Sequence, residues 1–142
     1  MNILINTVNF IMISLFLVSM FLLLSLFVFY GTNKKSFIEI RDEHIQSGFI
    51  IPQIIYVISF FGFYGSYYLS YFLYQIITRR KTITSRAFIG NSIPQAAYEF
   101  AKNIPKKLAS IMIIYYYLFS ASIFLFILSC LLLLLYKYLT NT

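Results

Sequence analysis

Three stretches of this chain carry no Asp, Glu, Lys, Arg or His: about Val8 to Tyr30, Ile51 to Ile77 and Leu108 to Tyr136. All sixteen residues of those five types lie outside them. A helix that crosses a bilayer needs about 20 mainly apolar residues, and one charge at its centre costs roughly 2.5–3.5 kcal/mol on insertion scales. Each stretch meets both conditions. The sequence therefore predicts an all-α integral membrane protein, a single membrane domain with three transmembrane helices. Composition agrees: 61% of residues are apolar and only 11% are charged, too few polar groups to cover a soluble fold of this size.

The first stretch reads as an uncleaved span rather than a signal peptide. No Lys or Arg precedes it, the apolar run is long, and no A-x-A site follows. The connections then set orientation. Gly31–Gly48 holds Lys34, Lys35 and Arg41 against Glu39, Asp42 and Glu43. Thr78–Lys107 holds Arg79, Arg80, Lys81, Arg86, Lys102, Lys106 and Lys107 against Glu99 alone. The positive-inside rule places the second, basic connection in the cytoplasm, with the N-terminus inside and the C-terminus outside. Lys137, near the expected outer end, runs against this. The expected location is a bacterial inner membrane, with an organellar inner membrane as the alternative. The net charge of +7 sits beside apolar runs, which fits membrane topology and lipid headgroups rather than nucleic acid. The lone cysteine, Cys130, excludes an internal disulfide.

A period of 3.6 divides the second span into three faces. Ser59, Gly62, Ser66 and Ser70 make a ladder of small residues that would let another helix backbone approach closely. Gln53, Tyr56, Tyr64, Tyr67, Tyr71, Tyr74 and Gln75 make a polar stripe. Ile51, Ile54, Ile58, Leu69, Phe72 and Ile76 make a third face suited to lipid. The stripe reads either as interhelical packing, which is favoured, or as a polar path or binding wall. In the third span Tyr115, Ser122, Ser129 and Tyr136 recur every seven residues, a spacing that fits left-handed helix packing. Thr7, Ser14 and Ser25 share a side of the first. The competing reading of such serines and threonines is that their hydroxyls simply bond back to their own helix.

Inside the basic connection, Ser92 and Gln95 form a capping box with Pro94 in the first turn. Ile93, Ala96, Ala97, Phe100, Ala101 and Ile104 then share one face and Gln95, Glu99 and Lys102 the other. This predicts a short amphipathic helix at the membrane interface, ended by Pro105, with Asn103 available to cap the third span. A protein-docking helix is the alternative. Arg79, Arg80, Lys81 and Thr82 have the look of a basophilic kinase site, but a cluster that fixes topology is the simpler reading. Ser36 and Glu39 suggest a second capping box in the first connection, with Gly48 as its stop. Around His44 stand Glu39, Asp42 and Glu43, but a metal site needs three or four convergent ligands; a solvated helix surface with Lys35–Glu39 pairing is favoured.

No constellation for chemistry emerges. The only histidine, His44, lies in a connection, so neither a catalytic triad nor a two-histidine haem site within the spans is expected. No phosphate-binding glycine motif is present, and no carboxylate lies inside a span to relay protons. No cofactor or metal is expected, and the chain is not expected to be an enzyme. The leading expectation is a structural, accessory or assembly subunit of a larger membrane complex, whose partners are the bilayer and other membrane chains. An oligomeric channel, small transporter or holin-like pore lined by the tyrosine stripe is the alternative, and a lipid- or quinone-directed enzyme ranks last.

Overall fold

Why the first helix does not end where its apolar stretch ends is explained by spacing. In a computed structural model, which describes residues 2–46, 57–78, 99–100 and 102–141, helix α1 runs unbroken over Asn2–Gln46. Val8, Ser19, Leu26, Phe37 and Ile40 are its buried residues, and a rhythm of sevens and of threes and fours continues through 19, 26, 33 and 40. As in the apolar segment, buried positions thus recur in the charged segment after Tyr30. Gly31 is tolerated within it, and Thr32 and Asn33 both donate to the Phe29 carbonyl. The connection expected over Gly31–Gly48 is thus helical as far as Gln46 and continuous with the first span. Ser36 lies mid-helix and caps nothing.

Helix α2 covers Gly62–Ile77 and helix α3 covers Lys106–Asn141. No strand occurs among the described residues. Among the described residues, α1 and α3 are long and apolar enough to cross a membrane. Only 11% of the apolar window of α1 and 17% of that of α3 is buried within the chain. The core helix of a soluble protein would be mostly covered; these are not. The second span expected from about Ile51 is interrupted at Phe60–Phe61, so α2 begins at Gly62, eleven residues later. The residues of that span before Val57 lie outside the described residues.

The chain divides into two compact units. The first comprises Met1–Val28 and Tyr117–Thr142, where the N-terminal part of α1 and the C-terminal part of α3 run antiparallel. Ser19 and Ser122 clasp one another: each hydroxyl donates to the other's backbone carbonyl, at 3.0 and 3.1 Å. Ser129 donates to the Met12 carbonyl at 3.2 Å, and Phe16 packs on Phe126. The serines are small enough for the backbones to come within reach of a side-chain hydroxyl, which is how helices associate where lipid supplies no hydrophobic drive. By contrast, Thr7 and Ser25 are exposed and donate to their own helix, at Ile3 and Phe21. The stripe expected from Thr7, Ser14 and Ser25 therefore does not form the seam; Ser19 does.

The second unit is Phe29–Tyr116. A helical turn at 57–59 precedes α2, closed by Phe60 N–H to the Val57 carbonyl and Phe61 N–H to that of Ile58. Gly62 then takes φ +60°, a left-handed conformation that costs any other L-residue about 1–2 kcal/mol. That single reversal lets the turn fold back over α2, and the Ile58 carbonyl comes to rest against Gly65. At its other end α2 stops with Thr78, whose N–H and hydroxyl both reach the Tyr74 carbonyl.

The second half of α2 is buried almost all round: Leu69, Ser70, Phe72, Leu73, Tyr74, Gln75 and Ile76. This corrects the assignment of Leu69, Phe72 and Ile76 to lipid. Their apolar character serves the interior of the unit, while the exposed large residues of α2 are Tyr64 and Tyr68. The basic connection is described only at its end. Residues 99–100 and 102–103 are helical, the chain bends at Ile104, and Pro105 rather than Asn103 precedes α3. The amphipathic helix expected from Ser92 otherwise lies outside the described residues, as do Gln53, Tyr56, Arg79, Arg80, Lys81 and Arg86.

Candidate functional site

Two arrangements in the second unit gather side chains that carry chemistry. The first is a tyrosine socket. Tyr67, Tyr71 and Tyr74 stand at i, i+4 and i+7 on α2, the positions that make a hole for a knob from a facing helix. Tyr116 of α3 fills it, with ring centroids 5.9, 5.6 and 4.7 Å from the three. These spacings fall in the favourable range for aromatic pairs. Beside it, Tyr115 is fully buried and donates its hydroxyl to the Phe63 carbonyl at 2.7 Å. The Tyr115 ring lies edge-on to Phe37 at 4.9 Å and to Phe63 at 5.9 Å. Ser70, also fully buried, donates to the Met112 sulfur at 3.4 Å.

The second is a cleft of about 320 Å³ between α1 and the start of α2. Tyr30, Lys34, Phe37, Ile38 and Arg41 line it from α1; Ser59, Phe60, Gly62, Ser66 and Leu69 line it from the other side. Arg41 is held in place twice. Its guanidinium carbon lies 4.5 Å from the Phe60 ring centre, and its Nε and Nη2 donate to Asp42 at 2.9 and 2.8 Å. Among the described residues the ion pair of α1 is this one, between sequence neighbours, rather than Lys35–Glu39.

The residues singled out in the sequence fall in different places. Ser59, Ser66 and Ser70 of the small-residue ladder are buried. Ser59, Gly62 and Ser66 border the cleft, whereas Ser70 turns toward α3. Ser66 donates back to the Gly62 carbonyl. The tyrosine stripe divides: Tyr67, Tyr71 and Tyr74 converge on Tyr116, while Tyr64 is exposed. Gln75 is buried, and among the described residues its Oε1 has no hydrogen-bond partner. Lys102 is exposed ahead of Pro105, and Lys106 and Lys107 are exposed at the start of α3. Comparison with known protein families, curated proteins and solved structures finds no match.

Three residues with structural weight were not singled out. Gly65 sits three positions after Gly62, and a glycine in an otherwise bulky helix is the signal that could have marked it. Tyr116 hides in a run of three tyrosines, where only the pairing with α2 tells it from its neighbours. Ser19 lies at seven-residue spacing from Met12 and Leu26 and was legible as such. Among the described residues no group of three His, Cys, Asp or Glu could hold a metal ion.

Proposed function

We propose that this chain is an integral membrane protein that acts by association, as a structural, accessory or assembly subunit of a larger membrane complex. The observation that carries this reading is where its polar groups point. Ser19, Ser122, Ser129, Ser70 and Tyr115 are all engaged by partners within the chain. Most of what the uncharged stretches of α1 and α3 present outward is apolar: Phe10, Phe21, Leu24 and Phe27 on α1, and Phe124, Leu131 and Leu134 on α3. Such a surface suits lipid and other transmembrane helices. The tyrosine socket supports packing over a conduit, because three of the stripe's tyrosines close on Tyr116 instead of lining an open path.

The proposed topology has two spans, α1 and α3, in a bacterial inner membrane, with both termini outside and the connection between them cytoplasmic. The antiparallel pairing at Ser19–Ser122 and Met12–Ser129 supports termini on one side, whereas the three spans expected from the sequence would make the two helices parallel. The basic stretch between α2 and α3 supports it. The 16 residues of α2 reach about 24 Å, short of a hydrocarbon core of about 30 Å. α2 is therefore too short to cross alone, and its start shares the cleft with Lys34 and Arg41 of α1.

Extraction in mild detergent with crosslinking and mass spectrometry of co-purifying chains tests the function. Recovery in a complex with other membrane proteins is expected; recovery as a monomer alone, at native expression, would overturn the proposal. Reporter fusions test the topology. Two spans put Glu43 and Phe88 on one side, the expected result, whereas three spans would put Glu43 outside and Phe88 inside.

A further inference from the structure

The cleft in the second unit lies where the chain changes character. Tyr30 is the last residue of the uncharged stretch, and Lys34 is the first charged side chain of the sequence. On the membrane reading, that boundary is the level of the lipid headgroups. Lys34 and Arg41 both border the cleft, and among the described residues no acidic one does. Asp42 engages two donors of Arg41, but a guanidinium has five, and this carboxylate is about half exposed, where screening weakens its hold. Arg41 is itself only 19% exposed and rests on Phe60, so its remaining donors are held in position rather than free to sweep the surface. Between the two cations the walls are aromatic and aliphatic, with Phe37 and Leu69 buried beneath. A volume of about 320 Å³ stands at the low end of small-molecule sites, suited to a headgroup and the first atoms of its chains but not to a whole lipid.

We propose that this cleft binds the phosphate headgroup of an anionic lipid, with Lys34 and Arg41 as its charged donors. Arg offers a planar fork of donors to phosphate and Lys a mobile point charge. The assignment rests on the membrane reading and adds a particular ligand to it.

The test is native mass spectrometry of the full chain in detergent, titrated with phosphatidylglycerol and, separately, with phosphatidylcholine. Phosphatidylglycerol should bind at least about tenfold more tightly. The double variant Lys34→Gln with Arg41→Gln should lose about tenfold of that preference, on the order expected for two headgroup contacts. The variant Lys106→Gln with Lys107→Gln, which removes the same charge elsewhere, should keep it. Lys34→Glu alone, at an exposed side chain, should also weaken binding without disturbing the fold. An excess of glycerol 3-phosphate should not displace the lipid. Equal affinity for the two lipids, or equal loss in both double variants, would overturn the site. Displacement by glycerol 3-phosphate would overturn the lipid and leave a free phosphate as the ligand. A chain that still requires detergent but shows no lipid preference would sink this assignment and leave the membrane reading standing.

Discussion

An alanine methyl at position 65 would collide with the Ile58 carbonyl oxygen and would also lie 3.1 Å from two backbone carbons of Ile58 and Ser59. Backbone cannot rotate aside as a side chain can, so the turn at 57–59 must lift off α2. Gly65→Ala is expected to cost about 2–3 kcal/mol. Gly62→Ala keeps space, its nearest atom being the Tyr30 hydroxyl at 3.6 Å, but forces a left-handed alanine at about 1–2 kcal/mol. Gly31→Ala meets nothing within 4 Å and removes a helical glycine, a gain of about 1 kcal/mol. Thermal melts followed by circular dichroism in micelles should rank the three in that order, with Gly31→Ala above the parent. A melt in which Gly65→Ala matched the parent would remove the close approach at that position. Composition could not separate these three glycines; only the backbone brought against each one does.

At the scale of elements, the clasp between α1 and α3 sets register. Ser19→Ala should cost little, about 0.6 kcal/mol as for other hydrogen bonds within membranes, because both carbonyls keep their helical bonds. Ser19→Leu should cost far more, since its bulk separates the backbones. In a Cys130→Ser background, cysteines at 19 and 122, or at 12 and 129, should crosslink under mild oxidation, whereas a pair at 17 and 122 should not, Leu17 being 60% exposed. Tyr116→Ala should empty the socket of Tyr67, Tyr71 and Tyr74 and destabilise α2 against α3 by about 3 kcal/mol or more; unchanged melting would show that the socket contributes nothing. Of the seven-residue recurrence of Tyr115, Ser122, Ser129 and Tyr136, the first three are buried and Tyr136 is only half-buried. Its partner seam was harder to read, because α1 carries more serines and threonines than it uses, and hydroxyls bonded to their own helix look the same in sequence as those that clasp.

For the molecule as a whole, the absence of charge from long apolar stretches carried the membrane reading, and α1 and α3 have the length and the uncovered surface it requires. The second stretch misled in part. Hydropathy cannot distinguish an apolar residue facing lipid from one buried by its own chain, so Leu69, Phe72 and Ile76 looked like outer surface although each is at most 5% exposed. Nor did hydropathy mark the interruption at Phe60–Gly62, since both flanks are equally apolar. The cleft was out of reach for a related reason: Lys34 and Arg41 read as exposed charges on a connection until the helix that carries them is seen to continue.

Lipid accepts leucine, isoleucine, phenylalanine and valine almost interchangeably, so most outward positions of this protein are free to drift over generations. The site where a carbonyl already fills the place of a methyl has no such liberty. In chains descended from a common ancestor, glycine should persist at 65 while the surrounding apolar letters exchange, and that fixed point, rather than overall likeness, is what should betray kinship.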